Sequence, residues 1–80
     1  MEKKERAKMF DFGKVKGDYS RYSESLKKNF ESTATRHMDC LENPDGYEPV
    51  SVKYDRENHR HIVMTRCKGK FYYSLNGEWY

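Results

Sequence analysis

Three histidines and two cysteines have the greatest chemical reach in this chain. His37 and Cys40 lie three positions apart, and His59, His61 and Cys67 follow downstream. These are soft donors of the kind that hold structural zinc, which takes four ligands. Neither spacing matches a zinc finger. The strand register derived below also points His61 and Cys67 away from the face that the helix carrying His37 and Cys40 would cover. No metal and no Cys40–Cys67 disulfide are therefore expected. Cys40 reads as a buried or half-buried thiol, and His59 and His61 as polar residues beside a hairpin. His61 near Lys53 and Lys70 suggests a general base among cations, but no carboxylate is placed to orient it. The chain has no Gly-x-Ser-x-Gly elbow, no phosphate-cradling glycine loop and no His-Glu-x-x-His pair. A non-enzymatic protein without catalytic residues or cofactor is the expectation.

Binding is the better-supported chemistry. The expected outer sheet face carries Tyr72 and Trp79 flanked by Lys53, His61 and Lys70, with Arg56 and Lys68 at loop tips. Such a surface suits a protein partner, because Trp, Tyr and Arg are enriched as interface anchors. It also suits unpaired bases, which stack on aromatics while cations hold phosphates. A third reading is structural, as cross-strand aromatic pairs support small sheets. A second basic surface follows from helical spacing: Arg21, Ser25, Lys28, Ser32 and Arg36 fall in a row, with Lys27 beside it. Most such stripes are solvated faces, though one can track a phosphate backbone.

These residues depend on strands and turns for their positions. Val50, Val52 and Tyr54 alternate with Ser51, Lys53 and Asp55, the period of a half-buried strand. A three-residue loop, Arg56 to Asn58, would set Tyr54 opposite Arg60, Val52 opposite Ile62 and Val50 opposite Met64, with Asn58 left-handed. A two-residue turn at Lys68-Gly69 sets Met64 against Tyr73, and Asn76-Gly77, a strong hairpin signal, sets Tyr73 against Tyr80. The three turns agree on an inner face of Val50, Val52, Tyr54, Ile62, Met64, Phe71, Tyr73, Leu75 and Tyr80. The outer face then carries Lys53, His61, Val63, Thr65, Cys67, Lys70, Tyr72, Ser74 and Trp79.

Upstream, apolar positions at Tyr22, Leu26, Phe30, Ala34, His37/Met38 and Leu41 form one stripe of an amphipathic helix. Asp18 is its expected N-cap, and Asn43-Pro44-Asp45-Gly46 ends it. The fold class is α+β: one long helix packed on a three- to four-stranded antiparallel meander, in the order α-β-β-β-β. Met9-Phe10-Asp11-Phe12 is able to add a short N-terminal strand or an anchor to the core. Residues 1–17 read as a charged, partly ordered segment, frayed over residues 1–8, and residues 18–80 as a single domain.

Eighty residues with 35% hydrophobic and 36% charged content leave little core, offset by twelve aromatic side chains. A marginal domain of this kind gains from a partner or from dimerisation. Residues 1–30 carry nine basic and five acidic groups, residues 31–46 one and four, and residues 47–80 six and four. The overall +3 is mild for a dedicated nucleic-acid binder. Neither a signal peptide nor a membrane span is legible, so the expected setting is cytoplasmic with reduced thiols. The favoured expectation is a small interaction protein that blocks or modulates a larger cytoplasmic partner, in the style of phage or mobile-element inhibitors and antitoxins. An RNA or single-stranded nucleic-acid module is the alternative.

Overall fold

The computed structural model describes residues 11–80. Helix α1 (Glu24–Asp39) lies over one face of a four-stranded sheet, β1 (Lys16–Gly17), β2 (Pro49–Asp55), β3 (Arg60–Thr65) and β4 (Lys70–Ser74), in that spatial order. The fold is compact α+β, with the helix ahead of the antiparallel meander β2–β4 as the sequence implies. β1 runs parallel to β2, pairing Lys16 with Ser51 and Gly17 with Val52. The expected fourth strand of the meander is reduced to a bridge between Tyr73 and Trp79. The expected fraying of residues 1–8, and Met9 and Phe10 of the expected N-terminal strand, lie outside the described residues. Phe12 does anchor the core, with its ring edge-on to Phe30 at 5.7 Å.

The helix begins later than its periodicity suggests. Ser23, with extended backbone, accepts a hydrogen bond from the Leu26 N–H at 3.2 Å and is the true N-cap. Asp18 instead opens a 3-10 turn, Asp18–Arg21, and its carboxylate accepts from the Tyr54 N–H of β2 at 3.0 Å. The expected cap of the helix is thus a cap on a sheet edge. α1 buries Phe30, Thr33, Ala34 and His37. Phe30 is fully enclosed, with the rings of Phe12, Tyr19, His61 and Tyr73 all centred within 6.1 Å of its own.

The meander is real, but its registers differ from those expected. β2 pairs with β3 as Val52–Val63, Lys53–Ile62, Tyr54–His61 and Asp55–Arg60. The loop therefore has four residues, and His59, not Asn58, takes the positive φ of 53°. Asp55 explains the longer turn: its carboxylate accepts from Asn58 Nδ2 at 2.9 Å and from Arg60 Nε at 3.0 Å. β3 pairs with β4 as His61–Tyr73, Ile62–Tyr72 and Val63–Phe71. Lys68-Gly69 does not form a two-residue turn, because Thr65 closes a wider one. Its N–H and hydroxyl donate to Gly69 O, and its Oγ1 accepts from the Lys68 N–H. At the last turn Ser74 faces Glu78, so Trp79 rather than Tyr80 falls beside Tyr73.

A one-residue slip exchanges the two faces of a strand. His61, Val63 and Thr65 are therefore buried, and Trp79 turns inward, while Ile62, Met64 and Tyr80 move outward. Val50, expected inside, is exposed where an irregularity between Pro49 and Ser51 rotates the strand. Leu75 is exposed in the last turn. Val52, Tyr54, Phe71 and Tyr73 keep the expected inward orientation.

Candidate functional site

The candidate site is the sheet face that α1 does not cover. Its central rung runs Lys53, Ile62, Tyr72 and Tyr80. The first three are register partners, and Tyr80 exchanges both backbone hydrogen bonds with Tyr72. The neighbouring positions are Met64 with Lys70 on one side and Arg60 with Asp55 on the other. Arg60 lies over the Tyr72 ring at 3.9 Å and is ion-paired to Asp55 at 3.0 Å. Lys70 approaches the same ring at 5.7 Å, and the Tyr72 and Tyr80 rings are tilted together at 5.5 Å. Around this cation–aromatic ladder Met64 is 44% and Tyr80 59% exposed. Large apolar groups and lysines with no ion-pair partner among the described residues share one open surface.

The face keeps some of the expected residues and loses others. Lys53, Lys70 and Tyr72 occupy it as the sequence suggests. His61 and Trp79 do not: both belong to the opposite side, a correction that follows from the registers. Trp79 stacks on His37 at 5.0 Å, with the Arg36 guanidinium 5.8 Å from its ring. Arg56 and Lys68 are exposed in loops, Lys68 lying 5.5 Å from the Tyr47 ring. Sequence reasoning missed Arg60, Ile62, Met64 and Tyr80. The Asp55 turn, which places Arg60 opposite its carboxylate, was the signal that could have found them.

The basic helix stripe is similarly dispersed. Lys28 is exposed, as are Ser25 and Ser32. Lys27 sits 5.3 Å from the Tyr19 ring, whose hydroxyl is hydrogen-bonded to Glu31. Burial, helped by that bond, pushes the Tyr19 hydroxyl up to about 12. Arg36 donates to Gly77 O and so ties the helix to the last turn. Arg21 precedes the helix altogether and lines a small cavity together with Arg56.

The histidines form an interior polar network. Asn29 Nδ2 donates to Leu75 O, so its Oδ1 must accept from His61 Nε2, at 2.8 Å. His61 Nδ1 then accepts from the Tyr22 hydroxyl, also at 2.8 Å. His37 Nδ1 pairs with the Tyr73 hydroxyl at 2.9 Å. Burial lowers the pKa of both rings, that of His61 to about 4. Both are therefore neutral at pH 7, and His61 has both ring nitrogens committed, which leaves it no lone pair for a substrate. No group of three metal-ligating side chains occurs among the described residues. Cys40 and Cys67 are free thiols, and Cys40 is exposed rather than buried. No helix among the described residues is long and apolar enough to cross a membrane. No family model, curated protein or solved structure compared with this chain matches it.

Proposed function

We propose that this chain is a non-enzymatic interaction protein that docks its open sheet face on a larger protein and blocks or modulates it. The observation that supports this most is the exposure of Met64 and Tyr80 beside half-buried Ile62 on a face rimmed by Lys53 and Lys70. An apolar centre with charged margins is how protein interfaces are built. The complementary surface would be apolar with an acidic rim. A base-stacking mode is less well served. Trp79 is turned inward, and the Tyr72 ring already has a guanidinium against it, so of these rings only Tyr80 is largely open for stacking.

The test is recovery of the tagged protein from its native extract, with and without nuclease, at low and high salt. It is repeated with Met64→Asp and Tyr80→Ala combined. A discrete protein partner that survives both treatments and is lost in the double variant, with unfolding unchanged within about 0.5 kcal/mol, is the expected result. A partner retained by the double variant would sink the proposed surface. Nucleic acid that co-purifies and disappears with nuclease or salt would put an RNA or single-strand binder in its place.

A further inference from the structure

Five arginines fall within the described residues, and three of them are tied down. Arg36 holds Gly77 O and lies by Trp79, Arg60 holds Asp55 and lies over Tyr72, and Arg66 holds Glu48 at 3.3 Å. The other two, Arg21 and Arg56, have no carboxylate or ring partner among the described residues. They meet at one cavity. Its volume is about 260 Å³, and its lining is Asp18, Arg21, Tyr22, Leu26, Tyr54 and Arg56. Arg21 comes from the 3-10 turn before α1, and Arg56 from the loop after β2. The cavity therefore spans the junction of helix and sheet.

The walls between the guanidinium groups are apolar and firmly built. The Tyr22 and Tyr54 rings pack edge-to-face at 6.3 Å, and Leu26 stands beside them in the first turn of α1. The Tyr22 hydroxyl is already spent on His61. The Tyr54 hydroxyl has no partner among the described residues and adds a third donor to the lining. Among the described residues of the lining, Asp18 contributes the single negative charge, and its carboxylate is engaged by the Tyr54 N–H. Two guanidinium groups and one carboxylate leave a formal surplus of one positive charge.

We propose that this cavity is a binding site for a monocarboxylate on a short apolar stem, such as an acidic side chain or the terminal carboxylate of a peptide. Planar guanidinium forks match carboxylates geometrically. One carboxylate neutralises the surplus charge, whereas a phosphate dianion would overshoot it and face Asp18. The aromatic and aliphatic walls give the stem an apolar contact that an inorganic anion cannot use. The larger groove along Pro49–Ser51, about 730 Å³, is a poorer candidate. Its Lys14, Lys16 and Arg66 are set against Asp11 and Glu48, and Arg66 is already paired. The proposal stands apart from the sheet-face reading, since it uses none of the same residues.

The experiment is a titration of the full chain with N-acetyl-leucine and, separately, inorganic phosphate at constant ionic strength. It is followed by ¹H–¹⁵N correlation of the arginine Nε–H groups and the backbone near Leu26 and Tyr54. Saturable shifts at Arg21 and Arg56 with N-acetyl-leucine, tighter than phosphate, are expected. Arg21→Gln and Arg56→Gln should each weaken the site by about tenfold, equivalent to about 1.4 kcal/mol. Met64→Asp should leave it unchanged, which keeps this test separate from that of the sheet face. Because both arginines are exposed, thermal melts should confirm intact variants. Linear shifts without saturation, phosphate binding as tightly as the carboxylate, or unchanged affinity in Arg56→Gln would each overturn the proposal.

Discussion

His61 makes the stability of this protein depend on pH in a window where exposed carboxylates contribute little. The ring is fully buried, donates to Asn29 and accepts from Tyr22. A second proton would place a charge in this buried site, and burial holds the folded pKa near 4 against an ordinary 6.5. Between those values the unfolded chain binds a proton that the folded chain refuses. Stability is therefore complete above about pH 6.5 and falls as the pH drops toward 4. The slope for one such histidine is about 1.4 kcal/mol per pH unit, so about 2 kcal/mol is lost by pH 5. His37, lowered in the same direction by burial, adds to that slope. The perturbation is His61→Gln, assayed by urea unfolding at several pH values. At neutral pH the variant should be less stable by about 1–3 kcal/mol, because Gln loses the imidazole's ring contacts with Tyr22, Phe30 and Tyr54 in the core. On acidification the gap should close by about 2 kcal/mol, since only the wild type carries this penalty. A gap that stays constant from pH 7.5 to pH 5 would show that His61 does not titrate as its surroundings require.

Two further outcomes follow from local geometry. Gly17 has φ of 91°, and an added Cβ would lie 2.3 Å from Val52 O. Gly17→Ala should destabilise by about 2 kcal/mol or more through strain and loss of the β1 pairing, read as a lower melting temperature. Ser23→Ala removes the N-cap bond to Leu26 and should cost about 1 kcal/mol in chemical unfolding, whereas Asp18→Asn should leave helix content by circular dichroism unchanged.

The amphipathic stripe and the strand-rich C-terminal half made the architecture legible, because helix and strand periods survive small errors in their boundaries. Faces were less legible because they hang on single turn residues. Ile62-Val63-Met64 is uniformly apolar and so fits either register. The pattern favoured burying Ile62 and Met64, which put His61 outside. The protein buries the imidazole instead, an arrangement tolerable only because Tyr22 and Asn29, far away in sequence, complete its hydrogen bonds. No local signal announces such partners. Asn58 has the backbone tolerance the expected turn needs, yet its side chain serves Asp55 and His59 takes the left-handed position. Similarly, Asp18 has the residue type and place of a helix cap, though its acceptor function is used on β2. Lys53, Lys70 and Tyr72 kept their place on the candidate face because β2 and β4 hold their expected orientation. The pairing of Arg21 with Arg56 was beyond reach, since it joins residues assigned to two separate surfaces.

The two-residue strand β1 and the Asp18 carboxylate also bear on whether the sheet can add a strand from another chain. Together they occupy the outer edge of β2 at Ser51, Val52 and Tyr54, where an unprotected strand would offer free donors and acceptors to another chain. Pro49 begins that strand without an N–H to offer. Edge-to-edge sheet growth is thus blocked by very little material, and the strap works only while a glycine allows its backbone to lie against Val52. A sheet so thinly guarded is closed to strand addition along β2, and what it presents instead is the side chains of its open face.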